Sequence, residues 1–268
     1  MGLLAYRADG TKVVSIFLSD DEWKAESLNK QRDLFMPGTM LQAVPKVSQL
    51  GHRFFSHKPG ERPDGASGFE SEDHIALKIQ ALFAAKRAGW DALPEIAGTT
   101  PEDKLYRADV MCFHPNGKGR VAIEIQRSNQ RDVDYESRQE VYGTDGIRGI
   151  WIDVSTKKYR KHITSPTHAL PRFECRRLHS DCPGEYVVSI NGKEVPFPDF
   201  IYGALTGSLR FVKYTYRSRL QYFEILQDTC WKCENTINVI DPDDVESIFH
   251  EMPELLPAFN RKSLALNL

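Results

Sequence analysis

The chain has 268 residues, of which 41% are hydrophobic, 10% aromatic and 27% charged, and its formal net charge is −2. These proportions exclude a wholly disordered chain. The near-zero charge argues against a protein that coats nucleic acid through bulk charge, but it is compatible with local basic surfaces that contact phosphates. No apolar run approaches the roughly 20 residues that span a bilayer, and no secretory signal is visible. We therefore expect a soluble, cytoplasmic protein without a membrane partner.

The first zone, residues 1–68, is expected to be an extension that precedes the core. An apolar run over 13–18 predicts a strand, and Ser19 followed by three acidic residues predicts a helix from Asp20 to about Leu34. The segment 57–68 is rich in Pro, Gly and Asp, which predicts a loop or linker.

The second zone, residues 69–160, has the most regular pattern. Helices are predicted over 70–88 and over 133–142, the second ended by Gly143. Strands are predicted over four segments, 93–97, 106–113, 120–126 and 149–154. The order helix, strand, strand, strand, helix, strand predicts an α/β core built on a mixed sheet flanked by helices.

The third zone, residues 161–268, is expected to be a C-terminal extension. Two short runs, 186–190 and 193–195, flank Asn191-Gly192 and predict a β-hairpin. Residues 207–226 are predicted to form a helix, and residues 253–268 to form a loosely packed tail.

Two acidic side chains are expected to meet across the two middle strands. Because side chains alternate along a strand, Glu124 points away from its apolar neighbours, and Asp109 lies opposite a small apolar face formed by Ala108, Val110 and Cys112. The connecting turn makes these strands antiparallel neighbours. The two carboxylates can then hold a hard cation such as Mg²⁺ against a phosphate; the alternative is a pair of exposed acidic residues without a ligand.

Several segments, in this order, resemble the nuclease-like domain of CoiA-type competence proteins: the ESEDH helix start, the strand carrying Glu95, RADV, AIEIQRS, the YxxRxxxY helix and GIWI. The resemblance covers roughly residues 70–154. That family belongs to the PD-(D/E)XK, or restriction-endonuclease-like, superfamily. The resemblance therefore implies this fold for the core that lies between the N-terminal and C-terminal extensions.

The resemblance implies that Asp109 and Glu124 bind Mg²⁺ or Mn²⁺, together with the backbone carbonyl of Ile125. The sequence departs from the superfamily at Gln126, where a lysine is usual. A glutamine orients water by hydrogen bonds but supplies no positive charge. Either a different cation helps, or the metal alone suffices, or this chain is catalytically weak.

Three further residues are candidates for the same site. By resemblance Glu72 completes the metal shell; alternatively it is a helix N-terminal carboxylate favoured by the macrodipole. Glu95 either faces the site from its strand or is a solvated strand residue. Lys78, which shares a helix face with His74, either supplies the missing lysine charge near nucleic acid or is an exposed helical lysine.

Tyr135, Arg138 and Tyr142 share one stripe of the second core helix, at i, i+3 and i+7. Arg138 either binds a phosphate through its planar guanidinium or is stacked between the two tyrosines against the sheet. Arg127 directly follows the strand that carries Glu124. We expect Arg127, Tyr135 and Arg138 to contribute to nucleic-acid binding.

The five cysteines are an odd number and thinly spread, which fits a reducing compartment. Four of them either form a structural Zn²⁺ site or stay reduced without metal: Cys175, Cys182, Cys230 and Cys233. Cys112 is expected in the core. By resemblance, Arg53–His57 (RFFSH) is the remnant of an N-terminal zinc knuckle whose cysteines this chain lacks.

The sequence thus predicts a divalent-metal-dependent nuclease that acts on single- or double-stranded DNA. The resemblance implies a role in DNA uptake, recombination or processing of foreign DNA, with recombination or processing proteins as partners. Two alternatives stay open. One is a catalytically weak or inactive nuclease-fold protein that binds DNA as an adaptor, and the other is an RNA nuclease.

Overall fold

The computed structural model describes residues 2–29, 33–58, 60–61, 70–127, 130–155, 166–179, 184–190, 193–215, 222–229 and 236–239. Within these ranges the chain forms a small N-terminal β module, a central seven-stranded sheet with helices, and a C-terminal antiparallel sheet. None of the helices in these ranges is long and apolar enough to cross a membrane.

The N-terminal module consists of two small antiparallel sheets and one helix. Its elements are β1 (Leu4–Arg7), β2 (Lys12–Val14), α1 (Asp20–Leu28), β3 (Leu34–Phe35), β4 (Ala43–Val47) and β5 (Arg53–His57). A capping box between Ser19 and Glu22 starts α1, as the acidic beginning of this segment predicts. Helix α1 packs through Trp23, whose ring centroid lies 5.7 Å from that of Phe55.

Two predicted elements of this module are shorter than expected. The strand predicted over 13–18 ends at Val14, where a short 3₁₀ helix, Ser15–Phe17, begins. Its turn is held by the Ser15 hydroxyl, which donates to the carbonyl oxygen of Arg53 at 2.8 Å. Helix α1 ends at Leu28 rather than near Leu34, because Leu34 belongs to strand β3 beside β1.

The central sheet has the strand order β12-β11-β10-β9-β8-β7-β6. Its strands are β6 (Asp91–Thr99), β7 (Leu105–Phe113), β8 (Arg120–Gln126), β9 (Ile147–Val154), β10 (Arg172–Arg177), β11 (Tyr186–Ile190) and β12 (Lys193–Pro196). Strands β8, β9 and β10 are parallel neighbours, and the other pairs are antiparallel. The mixed sheet predicted from the sequence is confirmed, and it continues past residue 160 through β12.

Helices cover both faces of the central sheet. α2 (Glu72–Arg87) and α4 (Phe197–Thr206) share one hydrophobic cluster with it, and α3 (Asp132–Thr144) packs on the opposite face. In β8, Ile123 therefore joins the cluster beneath α2 while Ala122 joins the cluster beneath α3. The alternation predicted for β8 is confirmed. The N-terminal module contributes Leu3 and Phe54 to the cluster beneath α2.

The last zone corrects one prediction. The helix predicted over 207–226 is wrong, because the helix of this region is α4, which ends at Gly207 in the left-handed conformation with a φ of 76°. The following residues form an antiparallel sheet of β13 (Arg210–Thr215), β14 (Tyr222–Thr229) and β15 (Thr236–Val239). The residues 210–216 include three aromatic and two β-branched side chains, which favour a strand over a helix.

The hairpin of β11 and β12 is confirmed, with its turn at 191–192 outside the described residues. Gly143 does not stop α3, which ends at Thr144. The tail predicted over 253–268, and residues 59 and 62–68 of the predicted linker, lie outside the described residues.

Candidate active site at the fork of β7 and β8

Strands β7 and β8 separate at the two acidic residues that the sequence singles out. Their antiparallel ladder ends at the pair Val110 and Ile123. Beyond it, the backbone N–H of Ile125 donates to Asp109 Oδ2 at 2.8 Å, so a side-chain carboxylate takes the place of a backbone carbonyl. The Asp109 carboxylate is therefore fixed at the opening of the fork, beside the residue that follows Glu124.

The other neighbour of β7 is irregular at the same level. Strand β6 pairs with β7 at Pro94–Val110 and again at Ile96–Ala108, and Glu95 between them has a φ of 56°. A left-handed backbone is strained for a residue with a side chain. This irregularity interrupts the alternation of faces, so Ala108 joins the cluster beneath α3 while Val110 joins the cluster beneath α2. The sequence prediction that these two residues share one face is wrong.

Glu95 is tied down by buried hydrogen bonds. Its Oε1 atom accepts from the backbone N–H of Leu3 at 2.9 Å and from Lys78 Nζ at 2.7 Å. The same ammonium donates to Glu70 Oε2 at 2.7 Å. Burial by itself would lower the pKa of Lys78, but the charges of Glu95 and Glu70 outweigh it and raise this pKa.

Helix α2 brings a histidine to the fork. Ser71 caps the helix by accepting the N–H of His74, and His74 Nε2 lies 3.2 Å from Asp109 Oδ2. Burial tends to raise the pKa of the Asp109 carboxyl, but His74, Lys78 and the N–H of Ile125 favour its charged form. Together they lower this pKa to about 2.

Glu124 occupies the opposite electrostatic situation. Its side chain is only 4% exposed; Oε2 accepts from Arg138 Nη2 at 2.6 Å and Oε1 accepts from the Tyr142 hydroxyl. Burial, with a further contribution from the negative charge of Asp109, raises the pKa of the Glu124 carboxyl to about 8, although Arg138 and Tyr142 act in the other direction. Two neighbouring acids with pKa values pushed apart are typical of functional sites.

The donor atoms suit a hard divalent cation in chemical type. Asp109, Glu124 and Glu72 offer carboxylate oxygens, and Glu72 Oε2 is buried without a hydrogen-bond partner among the described residues. In their present positions, no three His, Cys, Asp or Glu side chains of the described part of the chain converge as a metal-binding group. Both oxygens of Glu124 are engaged by α3 instead.

Gln126 and Arg127 lie at the carboxyl end of β8. Gln126 is half-buried and is the register partner of Asp153 in β9. Arg127 is partly exposed, with Nη2 3.9 Å from Asp73 Oδ2. Asp73 is held by Arg177, whose Nε donates to Oδ1 at 2.8 Å, and by the Tyr186 hydroxyl at 2.7 Å. Arg127 and Arg177 thus form a basic pair at this edge, which the sequence pattern does not predict.

Three sequence interpretations need correction. Lys78 is fully buried, so it is neither an exposed helical lysine nor able to contact nucleic acid. Tyr135 is also fully buried, and its hydroxyl donates to Asp153, which leaves no surface for a nucleic acid. Glu95 is buried beneath the N-terminal module rather than solvated, and its carboxylate binds Lys78.

The stacking arrangement considered for Arg138 needs correction, while its binding of a phosphate stays a prediction. Its guanidinium lies over the ring of Trp151, 4.8 Å from the centroid, rather than between the two tyrosines. The sequence pattern does not predict its contact with Glu124, although the i, i+4 spacing of Arg138 and Tyr142 does place both on one helix face.

The predicted Zn²⁺ site can be examined at Cys175 alone, and this residue does not favour it. Cys175 lies in the cluster beneath α2 without exposed surface, and burial raises the pKa of its thiol, which disfavours a zinc-binding thiolate. Cys182, Cys230 and Cys233 lie outside the described residues. Cys112 is buried in the core, as predicted.

A known protein family matches the part of the chain that contains this site. Residues 70–188 match the family model described as competence protein CoiA, nuclease-like domain. The match extends from the Glu70 that binds Lys78 into β11, so it includes α2, α3 and the fork. Searches of curated proteins and of solved structures gave no significant match. The resemblance carried by the sequence motifs is confirmed, and it reaches beyond residue 154.

Proposed function

We propose that the chain is a divalent-metal-dependent nuclease acting on DNA. The proposal starts from the match of residues 70–188 to the nuclease-like domain of the competence protein CoiA family. The observation that carries the proposal is the fork of β7 and β8. There the negative charge of Asp109 contributes to the raised pKa of Glu124, and hydrophobic clusters cover the sheet on both faces. Neighbouring acids whose pKa values are shifted in opposite directions are the kind of group that hydrolytic chemistry on a phosphate uses.

The cation ligands in this proposal are carboxylates of the fork. Asp109 and Glu124 would bind Mg²⁺ or Mn²⁺, with the carbonyl of Ile125 and the carboxylate of Glu72 as further oxygen ligands. The bound ion would supply a nucleophilic hydroxide and polarise the phosphoryl oxygen. Asp109 is prepared for this task, because its low pKa keeps it ionised at neutral pH.

Gln126 and the arginines have separate tasks. Gln126 would orient the attacking water through its amide, which donates and accepts hydrogen bonds. Arg138 and Arg127 are partly exposed beside the fork and would hold phosphates of the nucleic-acid backbone. Lys78 acts from below: its buried positive charge favours the ionised form of Asp109 and thereby the metal-binding state.

The biological setting follows from the description of the family as competence proteins. We propose a cytoplasmic role in DNA uptake, recombination or processing of foreign DNA, with processing proteins as partners.

Cleavage assays test the catalytic proposal. Purified protein would be incubated with single-stranded DNA, double-stranded DNA and RNA, each with Mg²⁺, Mn²⁺ or a chelator. Asp109→Asn and Glu124→Gln keep side-chain shape while removing a ligand charge, and we expect each to reduce cleavage at least about 100-fold, since removing one interaction with the transition state costs several kcal/mol. Glu136→Gln, at an exposed position of α3, is the matched control. Equal cleavage by all four proteins would eliminate the site, and cleavage of RNA alone would replace DNA by RNA as the substrate.

A second function is favoured by two observations. Glu124 is buried with both oxygens hydrogen-bonded, and Gln126 brings no positive charge, as expected of a nuclease fold kept for DNA binding as an adaptor. Calorimetric titration with Mg²⁺ separates the two functions. Absence of metal binding, both with and without DNA, in a protein that still binds DNA would support the adaptor.

A further inference from the structure

The Arg138 guanidinium donates a hydrogen bond to an oxygen atom of Glu124 that a cation would need as a ligand. Arg138 Nη2 lies 2.6 Å from Glu124 Oε2, and the Tyr142 hydroxyl takes Oε1. The Glu124 side chain is only 4% exposed, so its carboxyl is almost inaccessible to solvent while both partners are in place. A cation that binds Glu124 must therefore displace one of these two partners.

Only one of the two partners is able to leave without disturbing the core. Tyr142 is fully buried and packs against Tyr106 and Trp151. The Arg138 side chain is 38% exposed, and among the described residues its hydrogen bonds go to Glu124 alone. Its guanidinium also lies over the ring of Trp151, a contact that fixes no hydrogen bond. Rotation of this one side chain outward would expose Glu124 Oε2.

We propose that Arg138 blocks the cation site until a nucleic-acid phosphate draws its guanidinium away from Glu124, so that metal and nucleic acid bind cooperatively. This inference rests on the proposed function and names the regulation of the same site. A guanidinium binds phosphate through two parallel hydrogen bonds, which compensate for breaking its hydrogen bond to Glu124. A cation would then meet Glu124 without a competing positive charge beside it.

Thermodynamic linkage gives the proposal a measurable form. If the phosphate removes the competitor of the cation, then nucleic acid tightens metal binding, and metal tightens nucleic-acid binding by the same factor. Couplings of this kind commonly amount to about 5- to 150-fold in affinity. A variant without the guanidinium should bind the cation more tightly even in the absence of nucleic acid, whereas an arginine that merely grips phosphate would not affect metal binding alone.

Calorimetry on the full chain tests this prediction without relying on activity. Mn²⁺ is titrated into wild type, Arg138→Gln and the matched control Arg131→Gln, whose exposed arginine precedes the first turn of the same helix and pairs with Asp134. Each titration is done alone and with a short phosphorothioate oligonucleotide that resists cleavage. We expect the oligonucleotide to tighten Mn²⁺ binding at least about fivefold in wild type and in Arg131→Gln. In Arg138→Gln we expect binding at least about fivefold tighter without oligonucleotide, and little further gain with it.

The outcomes separate the inference from the proposed function. Equal Mn²⁺ affinity of wild type with and without oligonucleotide would overturn the inference, and this measurement needs no variant. Unchanged or weaker oligonucleotide-free binding in a folded Arg138→Gln protein, verified by its thermal melt, would overturn it as well. If Mn²⁺ binds to none of the proteins under any condition, the proposed metal-dependent function fails together with the inference.

Discussion

The carboxylate of Asp109 accepts the backbone N–H of Ile125 at 2.8 Å, at the point where the ladder between their strands has ended. One oxygen atom thus serves the fold and the candidate chemistry at once. Its contribution to stability can be measured separately from any contribution to catalysis, because the hydrogen bond from Ile125 needs an acceptor oxygen but not a negative charge.

We expect Asp109→Ala to lower the free energy of unfolding by about 1–3 kcal/mol, since it leaves the N–H of Ile125 without its acceptor. Asp109→Asn retains an acceptor oxygen and should lower it by less than half as much. Urea denaturation monitored by circular dichroism checks both values. Equal losses in the two variants would show that charge, and not the hydrogen bond, provides the stabilisation.

Lys78→Met should be among the most destabilising single substitutions in α2. It removes the ammonium between Glu70 and Glu95 and leaves two carboxylates in a buried region, which costs roughly 3–5 kcal/mol when one partner of a buried pair is removed. Lys24→Met, at an exposed position of α1, is the control and should change stability by less than about 0.5 kcal/mol. Adding Glu95→Gln to Lys78→Met should restore part of the lost stability, because it removes one of the two unpaired charges. Urea denaturation measures each variant, and a lower midpoint in the double variant than in Lys78→Met would contradict this explanation.

The raised pKa of Glu124 predicts a pH-dependent stability. Its folded-state pKa of about 8 exceeds the ordinary 4.5, so folding favours the neutral carboxyl. The resulting contribution to stability is complete below about pH 4.5 and is lost as the pH rises through about 8. Glu124→Gln resembles the neutral form at every pH. Relative to wild type, its free energy of unfolding should therefore increase by more than about 1 kcal/mol between about pH 5 and about pH 9.

The same measurement has a clear negative result. A difference between Glu124→Gln and wild type that stays constant over this pH range would mean that Glu124 titrates outside it. Glu136→Gln again serves as the control for removing one acidic group from the protein.

Gly2 is predicted to tolerate no side chain. A Cβ atom at this position would overlap the Glu95 carboxylate, and the N–H of Gly2 is itself bonded to the carbonyl of Phe55 at 2.8 Å. We expect Gly2→Ala to destabilise the protein by about 1–3 kcal/mol. Gly143→Ala is the informative counterpart, because nothing lies within 4 Å of a Cβ there and the residue is helical. It should stabilise the protein by about 0.5–1 kcal/mol. Thermal melting checks both variants: the midpoint should fall in Gly2→Ala and rise in Gly143→Ala.

Local pattern was sufficient to predict the elements that carry the candidate site. The alternation of β8 correctly placed Glu124 opposite Ile123, and the helical spacing of α3 put Arg138 and Tyr142 on one face. Both inferences need only the period of a strand or a helix. The sequence could not reveal that this face of α3 covers Glu124, since that depends on how the helix crosses the sheet.

Lys78 and Glu95 show a second limit of the sequence. A lysine in a helix is usually exposed, and a glutamate in a strand usually faces solvent. Here each is buried because the other, with Glu70 and the N–H of Leu3, satisfies it across the fold. Such mutual compensation joins residues that are distant in sequence, and neither local pattern contains a sign of it.

The participation of Leu3 and Phe54 in the cluster beneath α2, and of the Leu3 N–H in holding Glu95, has a consequence for how this chain can be divided. A fragment cut at the limits of the family match would lose apolar partners from its interior and a donor from its strained strand. The limits of the family match therefore do not coincide with the limits of the hydrophobic cluster beneath α2. We expect the N-terminal module and the nuclease-like domain to melt as one unit, so that the excised domain would unfold at a lower temperature than the full chain.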